Sequence, residues 1–385
     1  MIPYGRQEVT QDDIDSVVEV LKSDFLTQGP VVPAFESSIK KYCSVNYAIA
    51  SNSATSSLHA ACFALDVGPG DIVWTVSNTF VASSNCAIYC GASIDFVDID
   101  STSYNLSIAS LEKKLSKAKK YNKLPKVLIP VHLCGLSCEM KEISELSKKY
   151  GFKIIEDASH AIGGEYLNKK IGSCEYSDIT VFSFHPVKII TTGEGGVATT
   201  NCSKLAKKME LFRSHGITRD TNLMKKQSDG PWYYEQIELG YNYRMTDIQA
   251  ALGLSQIDRL DENIKIRHHI ADKYNEKLSS LPIQLPSKSS DSYSSFHLYV
   301  IRLDLKKISH THKEVFEYLR NKKILVNLHY IPVYFHPFYE KFGFKKGYCP
   351  ESEKYYSDAL SIPIFPTLSS VDQSIVIEEL CNIIK

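Results

Sequence analysis

The sequence predicts an α/β protein: a large domain with an open, mainly parallel sheet covered by helices on both faces, then a small C-terminal α+β domain. Three observations carry this reading. From about residue 47, short apolar runs alternate with segments of helical spacing, the pattern of successive strand–helix units. The runs are rich in Val, Ile and Phe and poor in charge, as strands buried on both faces are. Near residue 250 the alternation gives way to one long helical stretch followed by mixed short elements. The large domain is expected over residues 1–249 and the small one over 250–385, a division that a chain of 385 residues accommodates.

The elements follow in order. Strands are expected at 47–50, 72–76, 94–99, 127–133, 153–156, 179–184 and 196–199. Between them SATSSLHAACFAL, FVASSNCAIYC and EMKEISELSKKYG have helical spacing. The stretch 247–278 reads as one long helix, with Ala250, Leu254, Ile257 and Leu260 on one face. The polar SKSSDSYSS after it reads as a loop. Then 296–305 reads as a strand, 312–323 as a helix and 324–334 as another strand. Pro332, Pro337, Pro350, Pro363 and Pro366 punctuate the tail, which is expected to be loop-rich.

Bulk properties exclude several classes. Forty-four basic side chains balance forty-four acidic ones, so no global field draws the chain to nucleic acid or an anionic membrane. No apolar run reaches the length of a membrane span. The N-terminus MIPYGRQEVTQDD lacks the basic head and apolar core of a secretory signal. Neither Cys86/Cys90 nor Cys134/Cys138 has zinc-knuckle spacing, and no metal site is expected. The ten cysteines read as reduced packing residues of a cytoplasmic protein.

Ligands of open α/β sheets bind beyond the carboxyl ends of the strands. There this sequence places Asn52, Ser53, Thr55 and Ser56; then Ser77, Asn78, Thr79 and Phe80; then Glu156, Asp157 and His160; then Ser183, His185 and Lys188. Polar groups from four segments thus converge on one edge. SNSATSSLH offers small residues and free N–H groups at a helix start, which suits either plain capping or a phosphate seat. Asp157 after an apolar strand can cap the next helix, or hold a protonated ring nitrogen in a dry site.

Lys188, in FSFHPVKIITTGEGG, can be a surface charge, a phosphate clamp or a nucleophile. Its glycines follow it, whereas those of a P-loop precede the lysine. A partly desolvated lysine is easily deprotonated and can form a Schiff base with an aldehyde. That amine, an acid for a pyridine nitrogen and a phosphate seat together describe a site for pyridoxal phosphate.

SNSATSSLH, EDASHAIGGEY, FSFHPVKIITTGEGG and LGYNYRMTDIQAALGLSQ, in that order, resemble the DegT/DnrJ/EryC1/StrS sugar aminotransferases. The similarity runs from LTQGP to the proline-rich tail. FRSHG and LHYIPVY are most similar to the branch that makes UDP-4-amino-4,6-dideoxy-N-acetyl-altrosamine for pseudaminic acid. The resemblance implies the aspartate aminotransferase-like fold (fold type I) and pyridoxal phosphate as cofactor. It implies that Lys188 forms the Schiff base and shuttles protons while Asp157 holds the pyridine nitrogen. His160 is implied near the cofactor's phenolic oxygen, Phe80 against its ring, and Thr55, Ser56 and Ser183 around its phosphate. Asn242 is implied to reach the phosphate of a neighbouring subunit, hence a homodimer with composite sites. A related branch that removes a hydroxyl has histidine at the position of Lys188; the lysine here favours transamination. The expected substrates are an amino-acid donor, L-glutamate, and a UDP-linked 4-keto-6-deoxy-N-acetylhexosamine. His185, His297, His329 and Tyr330 are candidates for contact with the sugar or its diphosphate, or else packed residues of strands and loops.

Overall fold

The computed structural model describes residues 1–384. Two helices precede the sheet, α1 (Gln11–Lys22) and α2 (Val31–Cys43). The sheet then forms from β1 (Tyr47–Ser51), β2 (Ile72–Val76), β3 (Ser93–Val97), β4 (Val127–Ile129), β5 (Lys153–Asp157), β6 (Ile179–Ser183) and β7 (Gly196–Thr200). Its spatial order is β1-β7-β6-β5-β4-β2-β3. Five neighbours run parallel, while β7 is antiparallel to both β1 and β6. The sheet is therefore mixed and mostly parallel. Between strands lie α3 (Ala54–Ala64), α4 (Ala82–Tyr89), α5 (Ile108–Lys120) and α6 (Met140–Tyr150), and α7 (Ser203–Arg213) follows β7. Both faces are buried: Ile155 joins the cluster with Leu58, Cys86 and Met209, while Ile154 joins the cluster with Leu111 and Ile143. One residue's step along a strand changes the face, so neighbours in β5 serve opposite layers.

Several expected elements come out differently. The long helix is two, α8 (Asp247–Ile257) and α9 (Leu260–Leu278). The break wraps around the buried carboxylate of Asp13 on α1. Asp13 accepts bonds from Ser255 Oγ (2.7 Å) and Gln256 Nε2 (3.3 Å) and forms a two-toothed pair with Arg259. The fourth strand stops at Ile129 because Pro130 follows and the chain turns into a 3-10 turn at Leu133–Gly135. The run expected as a strand over 324–334 pairs briefly, at Ile324–Leu325 with Ile2–Pro3 from the N-terminus and at Asn327 through a single antiparallel bridge to Ser361, and then leaves the sheet.

The tail is more regular than its prolines suggest. Pro337 and Pro350 each occupy the first turn of a helix, Pro337–Glu340 and Pro350–Asp358. A missing N–H costs nothing there. The second of these starts on Asp98, whose carboxylate accepts the N–H groups of Glu351 (2.9 Å) and Ser352 (3.0 Å). A three-stranded antiparallel sheet (Ile283–Gln284, Tyr299–Leu303, Ala359–Ile362) packs with α9, α10 (His312–Asn321) and the last helix, Ser370–Ile384. No helix among the described residues is long and apolar enough to cross a membrane.

Candidate active site

Because β1 and β6 end where β7 begins, Ser51, Gly196 and Ser183 lie side by side at the carboxyl edge of the sheet. The first turn of α3 sits directly over Gly196. A Cβ there would lie 2.5 Å from the backbone of Ser53 and Ala54, so only glycine admits this approach. Ser53 caps the helix by accepting the Ser56 N–H at 3.1 Å, and Ser56 Oγ donates to Asn52 Oδ1 at 2.6 Å. The N–H groups of Ala54 and Thr55 are left for an anion, with Ser183 buried two strands away. This cradle fits a phosphate.

Asp157 ends β5 and is 4% exposed. Its Oδ2 accepts from Ser83 Oγ of α4 at 2.6 Å, and its Oδ1 accepts from the Ser159 N–H at 3.1 Å. Ser83 also bonds Thr79 Oγ1 at 2.8 Å. The carboxylate is thus oriented by two donors and can still accept a proton-bearing ring nitrogen. Glu156 turns to the opposite face, where it bonds His132 (2.7 Å) and Thr180 (2.9 Å).

Lys188 follows β6 on a turn in which its N–H bonds the His185 carbonyl at 2.9 Å. Its side chain is ringed by protein yet partly open to the cleft. Burial pushes its amine down to about 8, against the pull of Asp157, which raises it. A buried lysine so shifted supplies a free amine near neutral pH.

Three histidines surround that amine, all uncharged. Burial first, then the nearby Lys188, hold His160 well below its ordinary range. Its Nδ1 accepts the Cys134 N–H at 3.3 Å, so its proton sits on Nε2, facing Tyr330 Oη at 3.2 Å. His297 packs on His160 with ring centres 4.4 Å apart, and its Nδ1 has no partner among the described residues. Burial and Lys188 push His329 down to about 3; it bonds Ser361 Oγ (2.8 Å) and Asn327 Nδ2 (3.3 Å). The Tyr330 N–H donates to Asn78 Oδ1 at 3.0 Å, which ties this loop to the end of β2. Phe80 lies at the mouth, 58% exposed, with its ring 6.2 Å from that of Tyr330.

Two candidates stand apart. His185 is exposed on the turn, and its main-chain carbonyl is what the turn uses. Asn242 is exposed too, and its carbonyl accepts from Asn52 Nδ2 at 3.5 Å within the same chain. Asn78, which holds Tyr330, stands among the polar groups expected beyond the second strand, whereas Ser83 and Ser361, which orient Asp157 and His329, were not expected in the site. A serine inside a helical run gives no periodic signal, and only its three-dimensional partner reveals it.

A family model for the DegT/DnrJ/EryC1/StrS aminotransferases matches residues 7–381. The UDP-4-amino-4,6-dideoxy-N-acetyl-beta-L-altrosamine transaminase of Campylobacter jejuni (serotype O:2) is 38% identical over 387 residues, which cover 100% of this chain and 98% of that protein. Among solved structures, Helicobacter pylori PseC, an aminotransferase involved in the biosynthesis of pseudoaminic acid, superposes with a TM-score of 0.91. It is 31% identical, and the match covers 100% of this chain and 99% of that one. The putative sugar aminotransferase Spr1654 of Streptococcus pneumoniae, solved in PMP and PLP forms, gives a TM-score of 0.90 for the PMP form. That form is 28% identical over 100% of this chain and 99% of its own. The chain belongs to the DegT/DnrJ/EryC1/StrS aminotransferase family.

Proposed function

We propose that this aminotransferase uses pyridoxal phosphate to move an amino group from L-glutamate to C4 of a UDP-linked 4-keto-6-deoxy-N-acetylhexosamine, on the way to pseudaminic acid or a related surface glycan. One observation carries the chemistry: Lys188, with its amine lowered to about 8, shares a cleft with the buried, doubly bonded carboxylate of Asp157. The sugar is supported by the likeness to the Campylobacter transaminase and to PseC.

When bound, the cofactor supplies a carbonyl with which amines condense and a ring that takes up the electrons left behind by a departing proton. The chain supplies everything else. The N–H groups at the start of α3, with Thr55, Ser56 and Ser183, seat the phosphate. Asp157, fixed by Ser83 and Ser159, holds a proton on the ring nitrogen through a charge-assisted bond. Phe80, exposed at the mouth of the cleft, would lie against the ring. Lys188 Nζ would take the proton from the donor's α-carbon and hold it for return, and in the second half of the cycle would supply the proton to the sugar carbon that receives the nitrogen. His160 can donate only from Nε2, towards Tyr330 Oη, so the Tyr330 hydroxyl hydrogen is free to reach an oxygen in the cleft. The uncharged histidines beside Lys188 stand where water would otherwise be, and it is this burial that favours the free amine.

The reading includes a homodimer in which Asn242 serves the phosphate seat of a second copy. The exposed Tyr241, Leu239 and Trp232 around that loop support a covered surface. The test has two stages. Protein incubated with pyridoxal phosphate and reduced with borohydride should carry a pyridoxyl mass adduct on Lys188; an unmodified lysine refutes the enzyme. The protein loaded with amine from L-glutamate is then offered 4-keto and 3-keto sugars linked to UDP or dTDP. Turnover confined to 3-keto or dTDP-linked sugars overturns the substrate.

A further inference from the structure

The sequence of α4 does little to keep it helical. It has eight residues, carries Ser83, Ser84 and Asn85 in its first turn, and starts from Val81, which has no side-chain oxygen to offer the free N–H groups. Serine and asparagine favour caps and turns, and a helix of two turns is marginal without outside support. Yet the first turn of α4 carries the hydroxyl that orients Asp157, with Ser83 Oγ 2.6 Å from the carboxylate. Rotation of α4 by ~10° would carry an oxygen about 4 Å from its axis by roughly 0.7 Å, enough to break a hydroxyl–carboxylate bond of that length. Something has to stop α4 from turning.

The support comes from the segment that follows Tyr330. Its main chain is bonded to the end of β2: the Tyr330 N–H donates to Asn78 Oδ1 at 3.0 Å and the Val333 N–H to the Ser77 carbonyl at 2.9 Å. The segment then brings Tyr339, 1% exposed, against α4. The Tyr339 hydroxyl donates to Asn85 Oδ1 at 2.6 Å and lies 2.6 Å from Ser84 Oγ. Ser84 Oγ is also 3.0 Å from the Val81 carbonyl, so the tyrosine closes the first turn from outside. Its ring is fixed in turn by Phe338, Phe342 and Phe96, with ring centres 5.4, 5.7 and 6.3 Å away. Ser83, Ser84 and Asn85 point in three directions around the helix axis. Asp157 and Thr79 hold the first of them, and Tyr339 holds the other two.

We propose that Tyr339 is a positioning residue for the reaction: by locking the first turn of α4 it keeps the Ser83 hydroxyl on Asp157, and so keeps that carboxylate aimed at the ring nitrogen of the cofactor. This rests on the transamination reading above and deepens it. Part of the control over the ring lies with a tyrosine whose hydroxyl, among the described residues, bonds only α4.

The test uses the full-length protein loaded with pyridoxal phosphate. Tyr339→Phe removes the hydroxyl and leaves the packed ring. A carboxylate held less firmly leaves less positive charge on the pyridine nitrogen, and a proton elsewhere on the bound cofactor is then easier to keep. The pH midpoint of the cofactor's absorbance change should therefore rise by about 0.5. In the same variant kcat should fall about 5- to 10-fold while KM for L-glutamate stays within about twofold. Ser83→Ala should move midpoint and kcat in the same directions, and in that background Tyr339→Phe should add less than about twofold, because the route it acts through is already cut. Losses that multiply in the double variant would mean that the tyrosine braces the fold at large, and would overturn the proposal; so would a midpoint and a kcat that stay where they are. Asn85→Leu removes the acceptor of the same bond and should reproduce the Tyr339→Phe losses; should Tyr339→Phe not fold, it carries the same cycle with Ser83→Ala. Wild-type protein that forms no borohydride-trapped adduct on Lys188 refutes the transamination reading itself, whereas a normal wild type with multiplying losses refutes the role of Tyr339 alone.

Discussion

Replacing Lys188 by methionine should stabilise the cofactor-free protein. Burial lowers the amine from its ordinary 10.5 to about 8. At pH 7 the folded chain therefore holds a proton on a group that resists it, whereas the unfolded chain holds the same proton freely. At about 1.4 kcal/mol per pKa unit the unscreened penalty is about 3.5 kcal/mol. The side chain is partly open to the cleft, and solvent screening trims this to about 2 kcal/mol. Methionine has nearly the same length and no charge, so it removes the penalty without opening a cavity. With an unfolding entropy of about 2.1 cal/mol/K per residue, this corresponds to a rise in Tm of roughly 2–3 °C. The sign of the pH dependence follows from linkage. Between pH 8 and 10.5 the unfolded chain binds more protons at this site than the folded one, so wild-type stability gains on the variant as pH rises through that window. Thermal unfolding of both cofactor-free proteins at pH 7 and pH 9.5 measures it: the variant's advantage should shrink by about half at the higher pH. A variant no more stable than wild type at pH 7, or an advantage independent of pH, would show that the amine is not depressed and would remove the physical basis for its reactivity.

Two further perturbations test the cradle and the carboxylate. Gly196→Ala drives a methyl group into the backbone of Ser53 and Ala54 and must displace the start of α3; the Kd for pyridoxal phosphate, read by absorbance titration, should weaken at least about tenfold, and an unchanged Kd removes the phosphate seat from that helix. Ser83→Ala deletes a bond to the buried Asp157 carboxylate worth about 1.5–3 kcal/mol; kcat should fall about 10- to 100-fold with cofactor still bound, and Ser83→Thr should restore most of it, whereas loss of cofactor and activity together would mean the serine merely packs.

The sheet was legible because its strands are near-continuous apolar runs and the intervening helices keep their spacing. The carboxyl-edge rule then collected Ser56, Asp157, Ser183 and Lys188 from distant segments, and the folded chain brings them to one edge. What escaped has a common cause: the deciding partner lies far off in sequence. The break between α8 and α9 depends on Asp13, more than 240 residues away. The direction of β7 depends on which strands flank it, and GVATT reads alike either way. Prolines taken as loop markers start helices because Asp98 waits to cap one of them.

The pair Glu156–Asp157 shows how one dipeptide serves two purposes. Strand alternation sends the two carboxylates to opposite faces of the sheet. Glu156 enters a closed network: His132 donates to it from Nε2 while receiving the Cys138 N–H on Nδ1, and Ser177 and Thr180 donate to its other oxygen. Burial raises its pKa, and those donors together more than offset the rise and hold it below the ordinary carboxylate range. Every lone pair that matters is taken, so it can only brace β5 against β4 and β6. Asp157 has two donors, one of them a hydroxyl that can turn, and it faces the cleft that holds Lys188. The residue able to do chemistry is therefore the one whose bonding is left incomplete, and the rigid neighbour keeps its oxygens from drifting.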